Sequence, residues 1–125
     1  MQWLEPLRSP NGSFIMSKPS YVIRKTTSGQ FYFVLRAPNN EPILTGESYT
    51  AHHNALNGID SVRVNAPLDD RYQRLTSTRG EPYFVLRAAN NEILGTSEMY
   101  SSVSKRDQGI ESVKTNAPIA EVIEK

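Results

Sequence analysis

Four glutamates, Glu41, Glu47, Glu92 and Glu98, are the residues of this chain best suited to acid–base chemistry. They fall at matching places in its two halves, and paired carboxylates divide into general acid and general base when their environments differ. Nothing in their spacing brings them together. Glu47 and Glu98 stand just ahead of helical stretches, where a carboxylate has the structural role of facing the positive helix end. His52 and His53 are the only imidazoles. Adjacent helix residues point about 100° apart, so the two do not share a metal ion as an i, i+4 pair does, and a flanking or half-buried histidine is the simpler reading. Gly29, Gly46 and Gly58 belong to a turn, a strand end and a helix interior and form no phosphate loop. No nucleophile sits beside a base, so no catalytic residue, no cofactor and no metal is assigned.

What remains is the chemistry of recognition. Alternation along a strand puts Phe31, Phe33 and Leu35 on one side and Tyr32, Val34 and Arg36 on the other. The second half repeats this with Phe84 and Leu86 opposed to Tyr83, Val85 and Arg87. If helices cover the Phe and Leu side, the opposite face displays Tyr32, Arg36, Tyr83 and Arg87. Aromatics and arginines on a sheet stack single-stranded nucleic acid, at about 1–3 kcal/mol per base. They are also enriched where proteins grip one another. The plainer alternative is a solvated face with Arg36 and Arg87 paired to nearby glutamates.

The elements that must position these residues come in two copies. Tyr21 to Pro67 lies over Tyr72 to Pro118 at an offset of about 51 residues without a gap, with about 22 of 47 positions identical. Repeats of this length usually build solenoids of three or more units, so two copies point instead to a closed pair, a fused form of a self-complementary dimer. Each copy reads as three strands and a helix. Residues 21–25 and 30–36 flank Thr-Thr-Ser-Gly, a hairpin turn in which Gly29 supplies the positive φ. Asn39-Asn40 turns the chain again, and a third strand runs over 43–47. Thr50 is the expected cap of a helix with the stripe His52, Leu56, Ile59, Val62 and Ala66. The second copy keeps Val103, Ile110, Val113 and Ala117, and Asn-Ala-Pro stops both helices. Residues 68–74 lead into the second copy's first strand, and residues 119–123 are the matching segment, expected to close the sheet. Gly58 and Gly109 fall inside the helices, where glycine costs about 1 kcal/mol against alanine. Their recurrence predicts that the backbone there presses against the sheet or the other copy.

The stretches GQFYFVLRA, ILTGESY, NGIDSV and NAP of the first copy, with their counterparts over 83–91, 93–100 and 109–118, resemble the YegP-like family of small bacterial proteins. The likeness covers roughly residues 17–120. It implies that each repeat gives three strands, a helix and a further strand, and that the two build one sheet with exchanged terminal strands. It implies no activity, because the family has no assigned function. The paired histidines depart from the small residues expected at 52 and 53.

The whole is thus expected to be α+β, a tandem repeat of β3-α-β units forming a single mainly antiparallel sheet with two helices on one face. Residues 1–19 read as an N-terminal extension without fixed structure, rich in turn residues. Met16 offers a second start, so residues 1–15 are read as a misassigned upstream extension. Residues 20–67 and 68–125 are the two repeats of one folded unit. The composition of 125 residues, 14 Lys plus Arg against 13 Asp plus Glu and no Cys excludes disulfides, thiol chemistry and zinc ribbons and gives no strong field for a polyanion. No membrane helix and no export signal are legible, which points to the cytoplasm. A small non-enzymatic binding or scaffold module, with a protein partner on the helix-free face, is the expected function. An RNA or single-stranded DNA binder using the same residues is the alternative, and an enzyme acting through Glu47 and Glu98 comes last.

Overall fold

A computed structural model describes residues 18–124 and, ahead of them, Leu7–Arg8 (β1) and Phe14–Ile15 (β2), which pair antiparallel. The extension expected over 1–19 therefore lies mostly outside the described residues. The first copy supplies β3 (Ser20–Lys25), β4 (Phe31–Arg36), β5 (Pro42–Gly46) and α1 (His52–Asn65). After a 3-10 turn at Asp69–Arg71, the second supplies β6 (Tyr72–Thr76), β7 (Pro82–Arg87), β8 (Ile93–Thr96), α2 (Val103–Asn116) and β9 (Glu121–Glu124). The turns use the residues their geometry demands. Gly29 and Gly80 have φ of 87° and 84°, and Asn40 and Asn91 have φ of 70° and 74°, left-handed values that these two residue types tolerate best.

Seven strands form one sheet in the order β6-β7-β8-β5-β4-β3-β9. Every pairing is antiparallel except β3 with β9, which is parallel. The copies meet at the centre, where Thr45 opposes Thr96 and Gly46 opposes Gly95, so a pseudo-twofold axis passes between β5 and β8. Both helices lie on the face carrying Phe33, Leu35, Phe84 and Leu86. These residues join Ile59, Val62, Ile110 and Val113 in one buried cluster. The helix α1 packs on β4 of its own copy and on β7 and β8 of the other, while α2 packs on β7 and on β5. A single core thus draws on both halves, as units of roughly 50 residues require, since a 60-residue domain hides only about 60% of its unfolded surface.

Reciprocal contacts tie the halves together. Tyr21 of β3 donates its hydroxyl to the carbonyl of Ala117 at the end of α2 (2.7 Å), and Tyr72 of β6 donates to Ala66 at the end of α1 (2.7 Å). Arg63 lies over the Tyr21 ring and donates to the Ala120 carbonyl (2.8 Å), and its counterpart Lys114 lies over Tyr72 and reaches Asp69 (2.7 Å). The interior glycines do mark a close approach, but to a tyrosine of their own copy and not to the sheet or the other copy. A Cβ on Gly58 would stand 2.5 Å from Tyr49 Oη, and one on Gly109 would stand 2.7 Å from Tyr100 Cζ and closer still to its Oη.

Three expectations change. Thr50 does not cap α1: Ala51 holds that position without a side-chain bond, and the second copy alone has a capping hydroxyl, from Ser102 to the Lys105 amide. Asn65 and Asn116 remain helical and turn their amides back to the carbonyls of Ser61 and Ser112, so the stop comes from the following Pro, which has no N–H to continue the ladder. The exchange of terminal strands is one-sided. β9 crosses to β3, whereas the chain after α1 passes through the 3-10 turn straight into β6.

Candidate functional site

The helix-free face is built around one cross-strand row. Register aligns Val22, Val34, Thr45, Thr96, Val85 and Gln73 across six strands. Val22, Val34 and Val85 are buried yet stand outside the helix-side core, and on β4 and β7 longer side chains stand two residues away on either side. Those longer side chains include the four expected recognition residues. Tyr32 and Arg36 flank Val34, Tyr83 and Arg87 flank Val85, and all four are half-buried. Because β4 and β7 run antiparallel across the axis, Tyr32 shares one end of the row with Arg87 and Tyr83 shares the other with Arg36. The four corners are about 13 Å apart along a strand and about 14 Å across three strand spacings. They form two diagonal Tyr and Arg pairs, not one cluster.

The arginines do not pair with glutamates. Arg36 Nη1 donates to the carbonyl of Asn40 (2.9 Å), and Arg87 Nη1 donates to Asn91 (2.8 Å). Each guanidinium thereby clamps the left-handed asparagine turn that follows its strand. Arg87 also donates through Nε to Gln73 Oε1 (2.9 Å), a bond with no counterpart in the first copy, where the equivalent residue is Val22.

The carboxylates are distributed differently from their sequence order. Glu47 and Glu98 are exposed and leave β5 and β8 at opposite ends, so they face no common substrate. The structure instead pairs carboxylates across the copies. Glu41 and Glu98 line one groove of about 600 Å³ with Tyr100 and Lys105. Glu47 and Glu92 both bear on Tyr49, whose phenol is pushed up first by burial and then by these two charges. Tyr100 is raised by burial and by Glu98. Tyr49 and Tyr100, unassigned from sequence, are thus the hubs that seat each helix glycine beside a pair of acids. His52 donates through Nε2 to the Glu124 carboxylate at 3.0 Å and meets the Phe31 ring edge-on, so it fastens β9. Among the described residues no group of three His, Cys, Asp or Glu is placed to hold a metal.

A two-copy α+β sheet with a pseudo-twofold between β5 and β8, and with Tyr32, Arg36, Tyr83 and Arg87 on the face its helices leave free, defines a fused pseudo-dimer. The chain belongs to the family described as domain of unknown function DUF1508, whose model matches twice, over residues 27–73 and 77–124. It is 50% identical over 96 residues to the UPF0339 protein of Shewanella oneidensis, covering 77% of this chain and 87% of that protein. It is 47% identical over 96 residues to UPF0339 protein YegP of Escherichia coli K12, again covering 77% and 87%. The solution structure of the Shewanella oneidensis UPF0339 protein superposes with a TM-score of 0.81 at 45% identity, covering 86% of this chain and 91% of that one. That of Escherichia coli yegP gives 0.83 at 41% identity, covering 89% and 96%. The resemblance to YegP-like proteins and the fold it implies are both borne out. The family itself carries no assigned function.

Proposed function

We propose that the protein is a non-enzymatic binding or scaffold module of the cytoplasm that meets a protein partner through the helix-free face, with Tyr32, Arg36, Tyr83 and Arg87 as its contacts. The observation that supports this most is the pair of diagonal Tyr and Arg sets bracketing a valine row. The clamped guanidiniums are already ordered, so a partner loses little side-chain entropy in meeting them. Tyrosine and arginine are the side chains on which interface energy concentrates. Both arginines spend donors on turn carbonyls, which favours a protein over a nucleic acid that would need them for phosphates. The separation of Glu47 from Glu98 speaks against a two-carboxylate reaction. No helix among the described residues is long and apolar enough to cross a membrane, and the reading invokes no membrane.

The test is affinity capture from native lysate with the wild-type protein and with the Tyr32→Ala/Tyr83→Ala double variant, each with and without nuclease. The expected result is a defined protein that survives nuclease and is retained at least about tenfold less by the double variant, the loss of one contact worth about 1.4 kcal/mol. Equal retention by the double variant overturns the reading. Loss on nuclease treatment, with binding that falls steeply as salt rises, transfers the face to nucleic acid.

A further inference from the structure

The repeat lets each half serve as a control for the other, and the halves differ most at the two edges of the sheet. The β3 edge is filled by β9, with Ser20, Tyr21, Val22 and Ile23 opposite Glu121, Val122, Ile123 and Glu124. Among the described residues nothing pairs with the pseudo-equivalent edge of β6. Its backbone is nevertheless presented for pairing. The carbonyl of Phe84 accepts from the Ser97 amide (2.9 Å) and the Phe84 amide donates to Ser97 Oγ (2.9 Å), both on the β8 side. Its partner Arg74 therefore turns its own N–H and C=O outward, as does Tyr72 two residues before.

Shifted by the repeat, the four places that β9 covers on β3 become Arg71, the last residue of the 3-10 turn, and Tyr72, Gln73 and Arg74 of β6. A neutral, partly apolar edge has become a basic and polar one. At its head lies a cleft of about 370 Å³ lined by Arg71, Gln73, Arg87 and Asn91 together with one carboxylate, Asp70, which pairs with Arg71 Nη1 at 3.2 Å. Arg71 is fixed there by donating Nε to Asn65 Oδ1 (2.8 Å), and Arg87 by its bonds to Gln73 and Asn91. The matching cleft beside β3 is smaller, about 250 Å³. It contains Arg36 and also Arg24, where β6 has Leu75, with Ser20 in place of Arg71, and Ile123 of β9 lines it. Arg74, at the far end, faces both Asp69 and Asp107, whereas Arg71 and Arg87 together face only Asp70, so the net attraction for an anion lies at the Arg71 and Arg87 end.

We propose that the free edge of β6 accepts an extended acidic peptide segment of another protein, added parallel to the strand, with a carboxylate entering the cleft between Arg71 and Arg87. The β3–β9 pair supplies the geometry, and Arg71, standing where the first copy has Ser20, places a second guanidinium beside Arg87 at an edge that no described strand covers. Strand addition takes its affinity from main-chain bonds and its specificity from pockets for alternate side chains. A short basic edge also repels a second copy of itself. This interaction goes beyond the face reading and shares with it only Arg87.

The probe is the peptide PIAEVIEK, the chain's own residues 118–125, titrated at millimolar concentration into the full-length protein labelled for amide NMR. A control peptide carries Lys at both Glu positions. The proposal expects saturable shifts over residues 71–76 with the acidic peptide, absence of those shifts with the Lys peptide, and at least a fivefold weaker dissociation constant in Arg71→Ala. Arg87→Ala, which leaves the Arg71 bond to Asn65 in place, gives the same weakening if Arg71→Ala disturbs the end of α1. Tyr32→Ala leaves the titration unchanged, so this proposal and the face reading fail separately. Absence of saturable shifts at 71–76, shifts confined to β3 and β9, or equal binding of the two peptides overturns it.

Discussion

Gly58 and Gly109 show how a residue that weakens a helix locally can strengthen the whole. Replacing Gly58 by alanine would relieve about 1 kcal/mol of helix cost, but the new methyl would stand 2.5 Å from Tyr49 Oη, and overpacking of this kind costs about 1–3 kcal/mol. The clash wins, so Gly58→Ala is expected to lower the midpoint of chemical denaturation, and a raised midpoint would show that Tyr49 moves aside freely. Tyr21 and Tyr72 bear on pH. Burial holds both phenols well above their ordinary range, while in the unfolded chain they ionise near pH 10. Above that pH the unfolded state releases protons that the folded state keeps, so stability is full below about pH 10 and falls as pH rises. Tyr21→Phe is expected to cost about 0.5–1.5 kcal/mol at neutral pH through the lost bond to Ala117, and to flatten the alkaline decline in urea melts. An unchanged alkaline slope would mean that Tyr21 ionises freely in the folded protein. The glycine contact was legible from its recurrence in two helix interiors. Its partner was not, because Tyr49 and Tyr100 sit outside both periodic patterns.

At the scale of elements, the strands and helices were legible because alternation and the helical stripe each repeat, so either copy corrects the other. Residues 119–123 were expected to close the sheet, but the parallel pairing of β9 with β3 was not legible, since pairing with a strand about a hundred residues earlier leaves no local trace. One signal was present in the sequence. Val22 and Ile23 align with Gln73 and Arg74, and an apolar pair exchanged for a polar one marks an edge that has lost its cover. The pairing of Glu41 with Glu98 likewise depends on the antiparallel junction of β5 and β8, which neither copy specifies alone. β9 itself is a short strand with an exposed tether. His52 and Glu124 are 41% and 59% exposed at the side chain, so their contact is worth less than about 1 kcal/mol. His52→Ala is expected to speed amide exchange in β9 severalfold while leaving α1 and β4 protected, whereas unchanged exchange in β9 would show that pairing to β3 suffices without the histidine.

For the whole molecule, the two copies share a core and differ at the surface. Each helix spans both copies, each first strand ties off the other copy's helix, and Tyr32, Arg36, Tyr83 and Arg87 sit on a face that neither half completes. Fusion permits what an exact dimer forbids. A Cβ on Gly95 would lie 2.7 Å from Leu44 Cγ, and these two residues occupy the same place in their respective copies, so a large residue meets a small one across the axis. Gly95→Ala is expected to destabilise the protein by about 1–3 kcal/mol, with part of the loss recovered when Leu44→Ala is added. A strictly additive cycle in urea melts would contradict that fit. The sharing of one core is tested most directly by native-state amide exchange in an Ile59→Ala variant, a truncation in the first copy that should cost about 2–5 kcal/mol. The slowest amides of α2 and β7, in the second copy, should lose the same free energy of protection as those of α1 and β4. Protection in the second copy that stays at its wild-type level while the first copy loosens would contradict the shared core.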